Sequence, residues 1–449
     1  MSNDMSRLYS ISKAEEVFVY LFVILNSISG VQIAGKSINT FLVILFLAYV
    51  VLFYMKHRRK SQVSIPKRND FIFFNVFSMI SCLLSMCYVF SLPHNAVVRG
   101  YLVNSIAYVV VFVLFFNCKT ESISRFLRIF KNALVLTAKI NVIWGFLQTG
   151  LVYIAGFNIN QWLFVDILHA SNDRAWVMGF YSSSGWNVRM TGLNFENSMF
   201  AIIVCIGLAL VDSKIWKALM TVAVILSLSR TGWVMLAGYY GVILIKRMMR
   251  CSLKVKRKLL IEGIAAIVLG VCAVLYLYSS SEVFSKMVNN VFLRITDESA
   301  LNISAARHYL YYPYGLDIWM MRSSPLQQLF GYGMRCSGIP FSENPDIMSK
   351  LGGYQAYTSA WAVECDVIGL LLGGGITTFL AYYSNIFKLI KDNNVLSPSI
   401  LVILFGGITY HYHSVSYILF IILFSSLSMS KRTSLRNSQQ RRNNLVERE

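Results

Sequence analysis

The apolar residues of this chain gather in blocks about as long as a bilayer is thick, and that clustering limits the fold more than any other feature. A helix rises 1.5 Å per residue, so roughly 20 apolar residues cross a hydrocarbon core of about 30 Å. Such blocks run at Val17–Ala34, Ile38–Tyr54, Phe71–Leu92, Ala96–Cys118, Ala133–Gly156, Asn197–Val211, Ile215–Ser229 and Gly232–Ile245, then at Leu259–Ser279, Val367–Phe387, Ser397–Tyr410 and Val415–Met429. Apolar residues make up 56% of the 449 positions and charged residues only 14%, which excludes an ordinary soluble enzyme. In lipid every backbone amide must be paired internally, so these blocks are expected to be helices. The expectation is an all-α polytopic membrane protein with about 12 transmembrane helices, forming a single integral membrane domain over 1–449.

A net charge of +20 could suggest nucleic acid. Most of the 41 lysines and arginines instead fall on alternate connections, the positive-inside pattern that orients membrane proteins. They cluster around Lys56–Lys60, Arg125–Lys131, Lys246–Lys258 and Lys431–Arg448. Both termini are therefore expected in the cytoplasm, with 430–449 a basic cytoplasmic tail and no nucleic-acid partner. The first apolar block lacks a small-residue cleavage site and a second block follows at once, so it reads as a retained helix. Two large connections, 157–196 and 280–366, face the other side. The latter lies between helices 9 and 10 and is too long and aromatic to be a passive linker, so a lid is expected there. Cys336 and Cys365 fall on this outer side, as a disulfide or as two free thiols.

Arg230 stands in a stretch otherwise free of charge from Ala218 to Ile245. A charge inside an apolar span costs a few kcal/mol and is usually kept for a task. Basic residues at both ends of the stretch make it a hairpin with Arg230 at the tip. Arms of about 15 residues reach roughly 22 Å, short of the roughly 30 Å core. Thr231 and Gly232 are expected to supply the turn, and Arg230 to face a positive recess opening outward; the alternative is an arginine snorkelling to headgroups. The other basic residues of the outer side are mostly arginines, whose planar fork suits phosphate oxygens. In 280–366, Ala300–Tyr312 has helical spacing and Pro313 is expected to restart the chain. Tyr309, Tyr311, Tyr312, Tyr314 and Trp319 form an aromatic cluster suited either to the interface or to sugar stacking. Lys139 is expected to snorkel, and Gly369, Gly373, Gly374 and Gly375 to permit close helix packing.

Ser229-Arg230-Thr231-Gly232 between apolar arms resembles the Ser-Arg-(Thr/Gly)-Gly signature of the Wzy-type O-antigen polymerase and O-antigen ligase superfamily. Three further stretches fit in the same order. Arg189-Met190-Thr191-Gly192-Leu193 with Glu196 and Asn197 leads into a span. Arg307 with Trp319 and Leu329-Phe330-Gly331-Tyr332-Gly333 lies in the large outer loop, and Glu364 with Ile368-Gly369 opens the tenth span. The resemblance covers roughly 189–369. It implies glycan assembly for lipopolysaccharide on the periplasmic face of the bacterial inner membrane, with undecaprenyl-diphosphate-linked oligosaccharide repeat units as substrates and a polysaccharide chain-length regulator as partner.

In that chemistry the growing chain leaves its diphosphate carrier and joins a hydroxyl of the next repeat unit. Diphosphate is already a good leaving group, so cations that hold it supply most of the catalysis. By motif position Arg189, Arg230 and Arg307 are the diphosphate-binding candidates. Glu196 and Glu364 are candidates for the base, followed by His308, His411 and His413, with Tyr309 and Trp319 as sugar contacts. A helix cap or loop ion pair is the plainer reading of Glu364, and interfacial polarity that of His411 and His413. Nucleotide loops and metal-ligand spacings are absent from the sequence, so no metal and no cofactor are expected. Ligases of the superfamily carry a histidine near the end of the large loop, where this chain has Gln355, which favours a polymerase. The alternatives are an O-antigen ligase joining polymer to lipid A core, or a lipid-linked oligosaccharide flippase or other transporter.

Overall fold

The computed structural model describes residues 11–28, 32–33, 36–58, 69–88, 92–167, 189–194, 196–250, parts of 268–289, 306–350, 363–392 and 394–446. The apolar blocks within these residues are helices. They run as α1 (Lys13–Ser27), α2 (Ile38–His57), α3 (Asp70–Tyr88), α4 (Leu92–Phe116), α5 (Thr120–Ala155), α6 (Asn197–Leu210), α7 (Lys214–Leu226) and α8 (Arg230–Arg250). In the large outer loop lie α9 (Ala306–Asp317), α10 (Pro325–Phe330), α11 (Ile339–Ser342) and α12 (Pro345–Lys350). The chain continues through α13 (Asp366–Lys391), α14 (Ser397–Gly406) and α15 (Ser416–Val446). Among the described residues the strands are the two-residue pair Gln32–Ile33 and Lys36–Ser37. Most of the expected ninth span and the connection 168–188 lie outside the described residues, as does Gln355.

Among the described residues four helical stretches, Asp70–Cys87, Asn95–Phe116, Thr120–Ala155 and Asp366–Lys391, are long and apolar enough to cross a membrane. Shorter apolar helices include Asn197–Leu210 and Ser397–Gly406. Large apolar side chains such as Ile44, Leu52, Val103 and Ile143 point outward. Water would penalise that surface and lipid does not. The chain is a membrane-embedded, all-α protein.

It divides into two units. The first comprises 1–29, 37–137 and 303–449, and the second 30–36 and 138–302. In the first, Phe46, Phe53, Phe115, Phe126 and Phe424 are buried and their rings meet tilted or edge to face. Such rigid rings fill a core at little conformational cost.

Two features of the first unit depart from the sequence expectation. α9 continues through Pro313 instead of restarting there, a tolerable course where neighbouring groups meet the carbonyls that proline frees. α13 is broken at Gly375, which has φ 69° and ψ −179°. The carbonyls of Leu372 and Gly373 are left without helical partners, and the Tyr332 and Gly333 amides donate to them at 2.8 and 2.9 Å. Ser81 Oγ also donates to Gly373 at 2.7 Å. A Cβ on Gly331 would strike Gly373, and one on Gly375 would strike Leu329. The glycines thus allow close packing, against the Leu329–Gly333 segment.

Candidate functional site

In the second unit, the turn between α7 and α8 is made by Ser227, Leu228 and Ser229 rather than by Thr231 and Gly232. Ser227 Oγ donates back to the Val224 carbonyl at 2.6 Å and accepts from the Ser229 amide at 3.3 Å. Leu228 adopts φ 53°, a left-handed conformation that is strained for leucine. Ser229 Oγ accepts from the Gly232 amide at 3.2 Å, capping the new helix. Arg230 is therefore the first residue of α8, where the helix dipole adds positive potential to its own charge. Gly232 lies within the first turn, where a Cβ would come to 2.7 Å from Ala201 and 2.8 Å from Val224. Its role is close packing against α6 and α7.

The segment from Arg189 to Glu196 is tied to this turn. The Met190 amide donates to the Leu226 carbonyl at 3.2 Å, and Asn197 Nδ2 to the Ser227 carbonyl at 2.8 Å. These bonds hold the segment that begins at Arg189 against the turn that precedes Arg230, and both arginines are half-buried. Burial first, and the Arg230 charge second, press Arg189 away from its protonated form. Arginine nevertheless stays charged near neutral pH. The sequence motifs at 189 and 230 thus meet in one place and carry like charges. Glu196 precedes α6 in extended conformation, half-buried, and its side chain makes no cap bond. Lys139 lies over the Trp216 ring at 4.9 Å.

A different polar centre occupies the first unit. Asp366, the first residue of α13, is buried, while neighbouring Glu364 is exposed. Asp366 Oδ1 accepts from His413 Nδ1 at 2.7 Å and from the His413 amide at 2.9 Å, and Oδ2 accepts from Tyr382 at 3.2 Å. The Asp366 amide donates to Gly407 at 2.7 Å, and Tyr101 donates to the His413 carbonyl at 3.0 Å. This carboxylate joins the start of α13 to the connection between α14 and α15. His411 in that connection stacks on Tyr410, and burial, His413 and Arg335 together push its pKa down to about 3. It is neutral at physiological pH.

The remaining expected residues are placed less pointedly. Trp319 donates to the Gln328 carbonyl at 3.1 Å and packs with Tyr312 and Tyr314 around buried Tyr311 and Phe341, so the aromatic cluster builds a core within the outer loop. Arg307, His308 and Tyr309 lie on α9, with side chains outside the described residues. Arg322 is an ordinary loop ion-pair residue, bidentate to Asp346 and bonded to Asp317. Cys336 and Cys365 are free thiols. Among the described residues no group of three or more His, Cys, Asp or Glu is placed to hold a metal.

Sequence reasoning did not single out Asp366, Tyr382, Asn141, Gln148 or Asn160. The available signal was polarity inside or at the edge of an apolar span, since such groups are costly unless they are used. The fold and these two centres define a class, a helical membrane-embedded protein with paired arginines at a helix start. No protein-family model and no curated protein sequence matches the chain.

Proposed function

We propose that the chain is a surface-polysaccharide polymerase of the O-antigen type. It transfers the growing glycan from undecaprenyl diphosphate to a hydroxyl of the next carrier-linked repeat unit. The observation that carries this reading is the anchoring of the Arg189 segment to the turn that opens α8 at Arg230. Two guanidinium groups repel one another, and a diphosphate placed between them converts that repulsion into attraction while completing bidentate hydrogen bonds. As the bond from anomeric carbon to phosphate oxygen breaks, its electron pair passes to the diphosphate, where the two cations and the helix dipole stabilise it. The acceptor oxygen forms the new bond to the anomeric carbon and gives up its proton to a base. Glu196, close in sequence to Arg189, is the candidate for that role in the same unit. Arg307 is the candidate third cation by motif position.

The wider reading is of twelve spans in the bacterial inner membrane, cytoplasmic termini and a site open to the periplasm, working beside a chain-length regulator in lipopolysaccharide assembly. A transporter reading finds support in the interrupted helix α13, because broken helices form the ion sites of transporters. The polymerase reading is preferred because the freed carbonyls of α13 are already engaged by Tyr332, Gly333 and Ser81. A deletion strain tests the proposal through its surface glycans. Loss of the ladder with the single-repeat band retained supports a polymerase. Loss of all bands with accumulation of carrier-linked polymer would identify a ligase, and trapping of single units on the cytoplasmic leaflet a flippase.

A further inference from the structure

The loop carrying Arg189 has to be held against the repulsion of Arg230, and the second unit contains a device suited to that task. α5 presents Asn141, Trp144 and Gln148 at spacings of three and four residues, which places all three on one helix face. Within an apolar span this is a polar stripe. Gln148 Oε1 accepts from the Thr191 and Gly192 amides, both at 3.1 Å, and Gln148 Nε2 donates to Thr191 Oγ1 at 3.0 Å. Two turns of helix away, Asn141 Oδ1 accepts from the Leu193 amide at 3.1 Å and from Asn194 Nδ2 at 2.8 Å. Asn160, oriented by Trp144 Nε1 at 2.6 Å, donates to Thr191 Oγ1 at 3.1 Å and to the Gly192 carbonyl at 2.8 Å.

Three amides thus engage four consecutive residues immediately after Met190, and all of these amides are buried. The bonds fix a backbone that is unusual in itself. Gly192 has φ 57°, and a Cβ there would lie 2.6 Å from Phe200 and 2.9 Å from Asn141 Oδ1. The loop therefore has one backbone course, and the residue three positions before the glycine is Arg189.

We infer that Asn141, Gln148 and Asn160 are positioning residues that hold Arg189 against Arg230, and so preset the spacing of the two guanidinium groups for a diphosphate group. This rests on the anion-site reading of the preceding section. A rigid, preset pair avoids the ordering cost of assembling a cation pair when the ligand arrives. The amides do not touch the ligand, and their effect is exerted through the loop backbone. A buried donor that loses its partner is costly, which makes the network respond to single-atom changes.

The test uses the full-length protein in detergent, with inorganic diphosphate as probe and thermal unfolding as readout. A ligand that binds the folded state raises the unfolding midpoint by an amount that grows with the logarithm of one plus its concentration over its Kd. Thr191→Val removes the hydroxyl shared by Gln148 and Asn160 at nearly constant shape, and Thr191→Ser keeps it. The expected result is a dose response to diphosphate in the unmodified protein. It should shift about tenfold to weaker binding in Thr191→Val and in Gln148→Leu, and be restored in Thr191→Ser. The clamp proposal is overturned if Thr191→Val and Gln148→Leu lower the ligand-free midpoint yet keep the original dose response, because the amides then only support the fold. No response in the unmodified protein or in Thr191→Ser overturns the anion site itself, and the clamp's role with it. Sulfate at equal ionic strength separates diphosphate recognition from general salt effects.

Discussion

The two polar centres solve opposite electrostatic problems. In the first unit the buried carboxyl group of Asp366 meets three protein donors, two of them from buried His413. In the second unit Arg189 and Arg230 share one sign, and their approach is unfavourable by itself. A buried carboxylate whose oxygens are met by protein donors serves to tie elements together. A like pair held together by surrounding bonds is set for something of opposite charge. On the proposed function, the difference separates a residue that holds the fold from one that acts on a substrate, although both kinds are polar groups in an apolar chain.

That contrast can be broken most sharply at Asp366. Removing Asp366 leaves three buried donors without their acceptor, at about 1–3 kcal/mol each, so Asp366→Ala should cost about 3–5 kcal/mol of unfolding free energy. Denaturant unfolding in detergent measures it. A loss below about 1 kcal/mol would show that the pair does not tie α13 to the α14–α15 connection. Arg230→Ala should behave in the reverse manner. Glycan transfer should fall by about 10²–10³-fold, as when one preorganised donor to a developing charge is removed. Its unfolding midpoint should fall by much less than that of Asp366→Ala. Arg230→Ala that unfolds readily while transferring normally would erase the distinction.

A smaller effect is expected from pH. His411 has a folded-state pKa pushed down to about 3, while an unfolded histidine titrates near 6.5. The unfolded chain therefore binds the proton more readily, and the contribution of neutral His411 is fully present above about pH 6.5. It should be lost as the pH falls below that value, by about 1 kcal/mol per pH unit. A His411→Phe variant should flatten that part of the stability profile, and an unchanged profile would contradict the placement of His411. The smallest change belongs to Arg322→Ala. Its partners Asp317 and Asp346 are exposed, so unfolding and transfer should both stay within experimental scatter, because water and salt screen such pairs.

How much of this could be read from the chain depends on the range of the interaction. The helices within the described residues fall close to the apolar blocks, since block length and the need to pair backbone amides in lipid are local properties. Arg230 was legible because a lone charge in an apolar run stands out, and Arg189 because its motif resembles a family pattern. The serine turn was less legible. Both Ser227–Ser229 and Thr231–Gly232 contain plausible turn residues, and only the hydroxyl bonds of Ser227 and Ser229 select the former. Glu364 drew attention by motif while Asp366, two residues on, carries the buried contacts. A register of two residues at a helix start is decided by packing.

By itself the sequence determined that the chain embeds in a membrane as helices and that Arg230 occupies an apolar hairpin. Composition, block length and charge placement act over one span at a time and leave few alternatives. Only the tertiary structure decided that Arg189 meets Arg230, that Asp366 pairs with His413 across 47 positions, and that the amides of α5 hold the loop between Met190 and Asn194. Such partners are chosen by which helix faces pack together, and that choice is made by the whole set of apolar surfaces and buried hydrogen bonds rather than by any one stretch of chain.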